Sequence, residues 1–242
     1  MTIPRRSRAA IVTGLIGGLL VLAPGSGAAQ EPDEPLALHD YHLGTSLAEF
    51  RQLPYADAIE LDARLVCSGD PFARQNNLEE LLSGNLTQEE ARIDVKLCKY
   101  FYHERNNASS VTSWREAGIP IGDLGRRPAS FYFMPKMNDP RFSERLFRII
   151  VTFNYTQAVP LMSVYMLEYG PPLQIDVETQ KSENDAIYDS TISTWREGRN
   201  ELKISNRFGQ DAGSVTYVEL YLLQQLDVLE LVEQIGKTDS EP

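Results

Sequence analysis

The sequence predicts an α+β fold in which short helices are interspersed with runs of antiparallel strands. Three observations carry this expectation. Several segments alternate apolar and polar residues with a period of two, the pattern of strands buried on one face. Other segments carry helix-start and helix-stop chemistry at their ends. The order of elements, a short helix and then several strands, also occurs twice, with helices at residues 46–53 and 159–169. Each half contains a Trp-Arg-Glu triplet, Trp114-Arg115-Glu116 and Trp195-Arg196-Glu197. Two α-β units, as a tandem repeat or merged in a single extended sheet, satisfy these patterns.

The chain opens on the grammar of export. Arg5, Arg6 and Arg8 form a positive start without acids, residues 9–23 are apolar, and Pro24-Gly25-Ser26-Gly27 breaks the helix. Ala28-Ala29 then offers small residues to a signal peptidase. The apolar stretch, about 15 residues, is shorter than the roughly 20 a spanning helix needs. A signal peptide over residues 1–29, cleaved after Ala29, is therefore expected, with a periplasmic or extracellular destination. The Arg5-Arg6 pair raises the twin-arginine route, but Arg8 and Ala9 stand where that signal prefers bulky apolar residues, which favours general secretion. No Cys stands at the processing site and no later stretch is apolar enough to span a bilayer, so neither a lipid anchor nor an integral membrane segment is expected.

Residues 30–43 read as an acidic, Pro-rich leader and a first strand. In the first unit, residues 44–155, Ser46 with Glu49 forms a capping box and Pro54 closes a short helix. Ile59, Leu61, Ala63 and Leu65 alternate with Glu60, Asp62 and Arg64 as a half-buried strand. The polar stretch 68–92 holds a helical turn or two around 78–82, after which Ile93, Val95, Leu97 and Phe101 mark a second strand. A loop at 106–113, a weak strand from Trp114, a turn at 122–128 and a short strand at 131–134 come next. Phe147, Ile149, Val151, Phe153 and Tyr155 then make the clearest strand of the chain.

The second unit, residues 156–236, begins with a helix that has Pro160 in its first turn and presents Leu161, Val164, Tyr165 and Leu167. Gly170, followed by Pro171-Pro172, ends it in a left-handed cap. Leu173, Ile175 and Val177 alternate in the next strand, and Glu197-Gly198-Arg199-Asn200 is a hairpin turn between two more. A strand at 215–220 leads to a final helix with Leu222, Leu226, Leu229, Val232 and Ile235 on one face and Gly236 as its cap. Residues 237–242 are a tail.

Charge and cysteine content narrow the function. Losing Arg5, Arg6 and Arg8 with the signal takes the net charge from −11 to −14. Such a surface repels phosphate backbones and anionic headgroups, which argues against nucleic-acid binding and favours basic partners. Cys67 and Cys98 are the only cysteines, and in an oxidising compartment two thiols read as one disulfide. Cys67 shares parity with an apolar face, but Cys98 shares parity with Asp94, Lys96, Tyr100 and Tyr102, a mixed one. A bulge, or packing on both faces, would reconcile the two.

Gly44-Thr45-Ser46-Leu47-Ala48-Glu49-Phe50 resembles the Gly-Met-Ser/Thr-x-x-x-Val helix start of the BamE (SmpA/OmlA) family of envelope proteins. Tyr169-Gly170-Pro171-Pro172 is similar to the Leu-Gly-x-Pro end of that helix, and Trp195 stands where the family has a strand with Trp. The doubled unit also resembles β-lactamase inhibitor protein. The resemblance covers 45–103 and 157–221, and it implies a small helical layer on an antiparallel sheet used for protein–protein contact without catalysis. The chain departs from it in lacking a lipobox Cys and in carrying a long two-cysteine insertion in the first unit.

No motif for catalysis or for a cofactor stands out. His39-x-x-His42 beside Asp40, with His103 as a third ligand, is the one metal-like spacing, and surface histidines are its commoner meaning. There is no His-Glu-x-x-His, Gly-x-Ser-x-Gly or Ser-x-x-Lys, and no Gly-rich phosphate loop. Tyr100-Phe101-Tyr102, Phe131-Tyr132-Phe133, Tyr217 and Tyr221 are core candidates, and any that face solvent on a sheet would make a binding face. The expectation is a non-enzymatic protein-binding module of the bacterial envelope, an assembly factor, adaptor or inhibitor whose partner is another envelope protein of basic character. The alternatives are a periplasmic small-ligand-binding protein and a hydrolase with a scattered site.

Overall fold

The computed structural model describes residues 36–59, 61–105, 112–181, 187–207 and 212–238. The expected signal peptide, the leader at 30–35 and the last residues of the tail lie outside the described residues. The first element is a small hairpin, β1 (Ala37–Leu38) with β2 (Tyr41–His42), around which Leu36, Leu38, Tyr41 and Leu43 are buried. α1 (Leu47–Phe50) starts with the expected capping box. Ser46 Oγ accepts the Glu49 N–H at 3.2 Å, and the Glu49 carboxylate accepts the Ser46 N–H at 3.0 Å.

β3 (Ala63–Cys67) begins later than the alternation suggests. Ile59 is fully exposed because residues 56–59 are still turning, held by the Ala58 N–H bond to the Tyr55 carbonyl. From Leu61 onward the expected face holds, with Leu61, Ala63, Leu65 and Cys67 packed into one core cluster. Three one-turn helices then replace the one or two turns read from the sequence: α2 (Pro71–Gln75), α3 (Glu79–Ser83) and α4 (Gln88–Arg92). Pro71 opens the first, and a second capping box, Thr87 with Glu90, opens the last.

The first half continues through β4 (Lys96–Arg105), β5 (Thr112–Glu116), the short pair β6 (Ile119–Pro120) and β7 (Arg126–Arg127), β8 (Ala129–Phe133) and β9 (Leu146–Asn154). The second half consists of α5 (Ala158–Tyr169), β10 (Gln174–Lys181), β11 (Ile187–Glu197), β12 (Asn200–Arg207), β13 (Ala212–Glu219) and α6 (Leu220–Thr238). The strands form one antiparallel sheet in the order β10-β11-β12-β13-β9-β8-β4-β3, and β5 pairs with the far end of β4. Each half is thus a helix followed by a four-strand meander, β3-β4-β8-β9 or β10-β11-β12-β13. The last strand of each meander lies in the middle, where β9 and β13 pair from Arg148–Val218 to Asn154–Ala212. The Trp-Arg-Glu triplets do not correspond. Trp114 lies in the side strand β5, whereas Trp195 lies in β11, the second strand of its meander.

The sheet is packed on both faces. One cluster gathers Leu47 and Phe50 of α1, Leu161 and Tyr165 of α5, and Phe131, Ile149, Leu202, Ile204, Val215 and Tyr217 of the strands. The other lies under α2–α4 and the start of α6, with Val66, Leu82, Leu97, Phe101, Phe147, Leu222 and Leu226. Two-sided packing explains why β4 carries apolar residues on both parities. Cys98 and Tyr100 belong to the first cluster, Leu97 and Phe101 to the second. A register shift opposite Tyr132–Phe133 breaks the single alternation expected for β9. Phe147 enters the second cluster while Leu146, Ile149, Val151 and Phe153 join the first, which is how a bulge redirects side chains.

Three other expectations need correction. Leu167 of α5 is exposed, since the inward face is Ala158, Leu161 and Tyr165. Gly170 has the positive φ expected of its cap (76°), but with ψ −167° it occupies an extended region open almost only to glycine rather than the left-handed helical well. Gly236 does not end the last helix, which runs on to Thr238.

Candidate functional site

Cys67 and Cys98 sit directly opposite each other on β3 and β4, buried in the first cluster, with sulfurs 1.98 Å apart in a disulfide. The bond closes the loop that carries α2–α4. It is a cross-link between the two strands that bound this loop.

The histidines do not converge. His39 Nε2 lies 2.6 Å from the Pro120 carbonyl oxygen, and His39 and His42 line a cleft shared with Glu168, Tyr169 and Glu197. His103 instead meets the Trp114 ring edge-on at 5.0 Å, in a groove with Asn76 and Asn77. Among the described residues no group of three or more His, Cys, Asp or Glu is placed to hold a metal.

Most tyrosines of the sheet are core residues, and Tyr221, 40 % exposed, lies on α6 and not on a strand. Tyr100, Tyr132 and Tyr217 are buried, and the Tyr217 hydroxyl shares a buried hydrogen bond with that of Tyr165. Burial pushes the Tyr165 phenol up to about 12, the Tyr217 bond only partly offsetting it. The open sheet face of the second half is polar: Thr152 and Lys203 are exposed and Ser205, Ser214 and Thr216 half-buried.

One patch of exposed apolar side chains lies at the sheet edge. Leu173, Ile175 and Val177 are 71, 60 and 64 % exposed, and Ile187 on the neighbouring strand is 73 % exposed. Their alternation is the one read from the sequence. It points them to the same face as Ser193 and Ile204, the face that α5 covers farther in. The helix stops at Gly170, whose carbonyl accepts the Trp195 indole N–H at 3.0 Å, and the chain turns directly into β10. The helix therefore does not extend over this strand. Gln174, Asp176 and Glu178 occupy the other face of β10 and are exposed. Among the described residues β10 pairs only with β11, which leaves its outer edge without a strand.

An edge strand with one apolar and one acidic face can accept an extended segment by main-chain hydrogen bonding, while alternate side chains read the two faces. Sequence reasoning finds the strand but misses its significance, because period-2 alternation is identical whether the apolar face meets a core or solvent. The fold and this edge together describe an α+β protein built on one continuous antiparallel sheet, in which no described helix is long and apolar enough to cross a membrane. Comparison with known proteins adds no family: no family model, curated protein or solved structure matches the chain.

Proposed function

We propose that this chain is an exported, non-enzymatic protein-binding module of the bacterial envelope whose partner adds a strand to β10. The observation that carries the reading is the exposure of Leu173, Ile175 and Val177 along an edge strand. Exposed Ile175 and Val177 on an edge strand of eight residues, with Leu173 just before it, favour a partner. The export signal of residues 1–29 and the net charge of −11 for the whole chain support a partner met outside the cytoplasm and bearing basic residues. The matching segment alternates apolar residues, for Ile175 and Val177, with Lys or Arg, for Asp176 and Glu178.

The test is to isolate the partner with the mature protein and measure its affinity for Ile175→Lys/Val177→Lys, with Thr152→Lys on the open face as control. Affinity should fall by about a hundredfold for the edge variant, roughly 3 kcal/mol, and stay unchanged for the control. Association should also slow as salt rises. Equal affinity of both variants would reject β10 as the docking strand.

A further inference from the structure

A second feature lies away from β10. A cleft of about 660 Å³ opens between the chain entering α1, the β8–β9 connection, the β11–β12 hairpin and the first turn of α6. We propose that it binds a small ligand carrying a single carboxylate on an aromatic or apolar body.

The walls supply both halves of that recognition. Phe142 and Tyr221 meet edge to face at 5.6 Å and, with Leu43 and Leu222, make an apolar surface. Arg141, Arg145 and Arg199 converge on the same cleft in a chain of 34 acidic and 23 basic residues. Two of these cations are largely occupied. Arg141 pairs with Asp139 at 2.6 Å. Arg145 donates to the Gly44 and Pro140 carbonyls at 3.1 and 3.4 Å, and lies 3.7 Å from Glu49. Glu219, also in the wall, accepts the Leu222 N–H and so caps α6.

Arg199 differs. It follows Gly198 in the two-residue hairpin loop, where the positive φ of that glycine (55°) lifts it to the rim. Its guanidinium lies 5.0 Å over the Tyr221 ring, and among the described residues it forms no ion pair. A guanidinium without an ion pair, set over an aromatic wall at the mouth of a cleft, is a ready partner for an anionic group. A carboxylate fits. It would take a bidentate contact from Arg199, with Arg141 and Arg145 adding positive charge to the same wall. An apolar or aromatic body would lie along Phe142 and Tyr221. Asp139, Glu49 and Glu219 flank the site, so a dianion such as a phosphate monoester is disfavoured relative to a monoanion.

The experiment uses the mature, disulfide-intact protein and 2-naphthoate as probe, with binding followed by calorimetry and by ligand-observed NMR. Saturable one-to-one binding of 2-naphthoate is expected, with naphthalene-2-carboxamide and 2-naphthyl phosphate at least about tenfold weaker. Arg199→Gln should weaken 2-naphthoate about tenfold with an unchanged melting temperature, since Arg199 makes no ion pair in the fold. Tyr221→Ala should weaken both naphthoate and carboxamide, since it removes the apolar wall. Absence of saturable binding at millimolar naphthoate, equal binding by Arg199→Gln, or tighter binding of the phosphate would each overturn the proposal.

Discussion

Glu201 illustrates how much of this protein depends on contacts that no local pattern encodes. Its carboxylate is buried near the start of β12, where it takes Arg196 on one oxygen and Lys203, at 2.7 Å, on the other. Burial works to raise its pKa, but the hydrogen bonds from Lys203 and Arg196 outweigh burial and hold it below the ordinary glutamate value. A lowered pKa in the folded state means that the stabilisation is complete above the ordinary value and disappears as pH falls through the lowered one. Glu201→Gln should therefore cost roughly 1–2 kcal/mol at neutral pH, since both cationic partners are half exposed. Urea denaturation from pH 7 to pH 3 should show that this difference shrinks as acid neutralises the wild-type carboxylate. A difference that persists unchanged at pH 3 would mean the charge is irrelevant. Other residues are legible from the sequence alone. Ser46 and Glu49 announce their capping box because both partners lie within four positions, whereas Glu201 requires knowing that Arg196 crosses a hairpin to reach it.

At the scale of elements, legibility depends on whether an element is defined by its own sequence or by what covers it. β4, β8 and β13 are readable because strong alternation or dense aromatics mark them. The Phe147 bulge is not, since it depends on the register of the neighbouring strand. Nor is α2, and α4, though its capping box is legible, is a single turn that is also held from outside. Glu90 shows how: one oxygen takes the Thr87 N–H at 2.9 Å and the other the Arg148 guanidinium, which itself stacks at 4.0 Å on Tyr132. The insertion thus leans on β9 as well as on its disulfide. Cys67→Ser/Cys98→Ser opens a loop of about 30 residues and should cost about 3.6 kcal/mol by the chain-entropy estimate. Because Glu90 and the Leu78–Leu82 packing remain, the variant should still fold, with amide exchange quickened first in residues 71–92. Uniform acceleration across the whole sheet would show that the bond supports the global fold instead.

At the scale of the whole molecule, the doubled order of helix and strands is visible in the sequence, but whether the halves form separate bodies or share one sheet is decided by pairing between β9 and β13, more than fifty residues apart. That ladder has a thermodynamic consequence. Each half buries its own tyrosines: Tyr41, Tyr55 and Tyr100 under α1, Tyr165 and Tyr217 under α5. Burial pushes Tyr55 up to about 12, only partly opposed by Arg126, and Tyr165 to about 12 as well. A phenol whose folded pKa lies above the ordinary value of 10 favours the native state fully below pH 10, and this contribution is lost as pH rises through about 12. With several such groups in both halves, alkali should unfold the protein between those limits. If the central β9–β13 ladder couples the halves, tyrosinate absorbance, far-UV circular dichroism and tryptophan emission from Trp114 and Trp195 should change in one coincident transition. Replacing Val215, whose N–H faces β9 opposite Val151, with Pro removes a donor from that ladder and should separate the transition into two, with Trp195 and Trp114 reporting different midpoints. Two steps in the unmodified protein would instead mean that each helix and its meander is stable alone and the shared ladder contributes little.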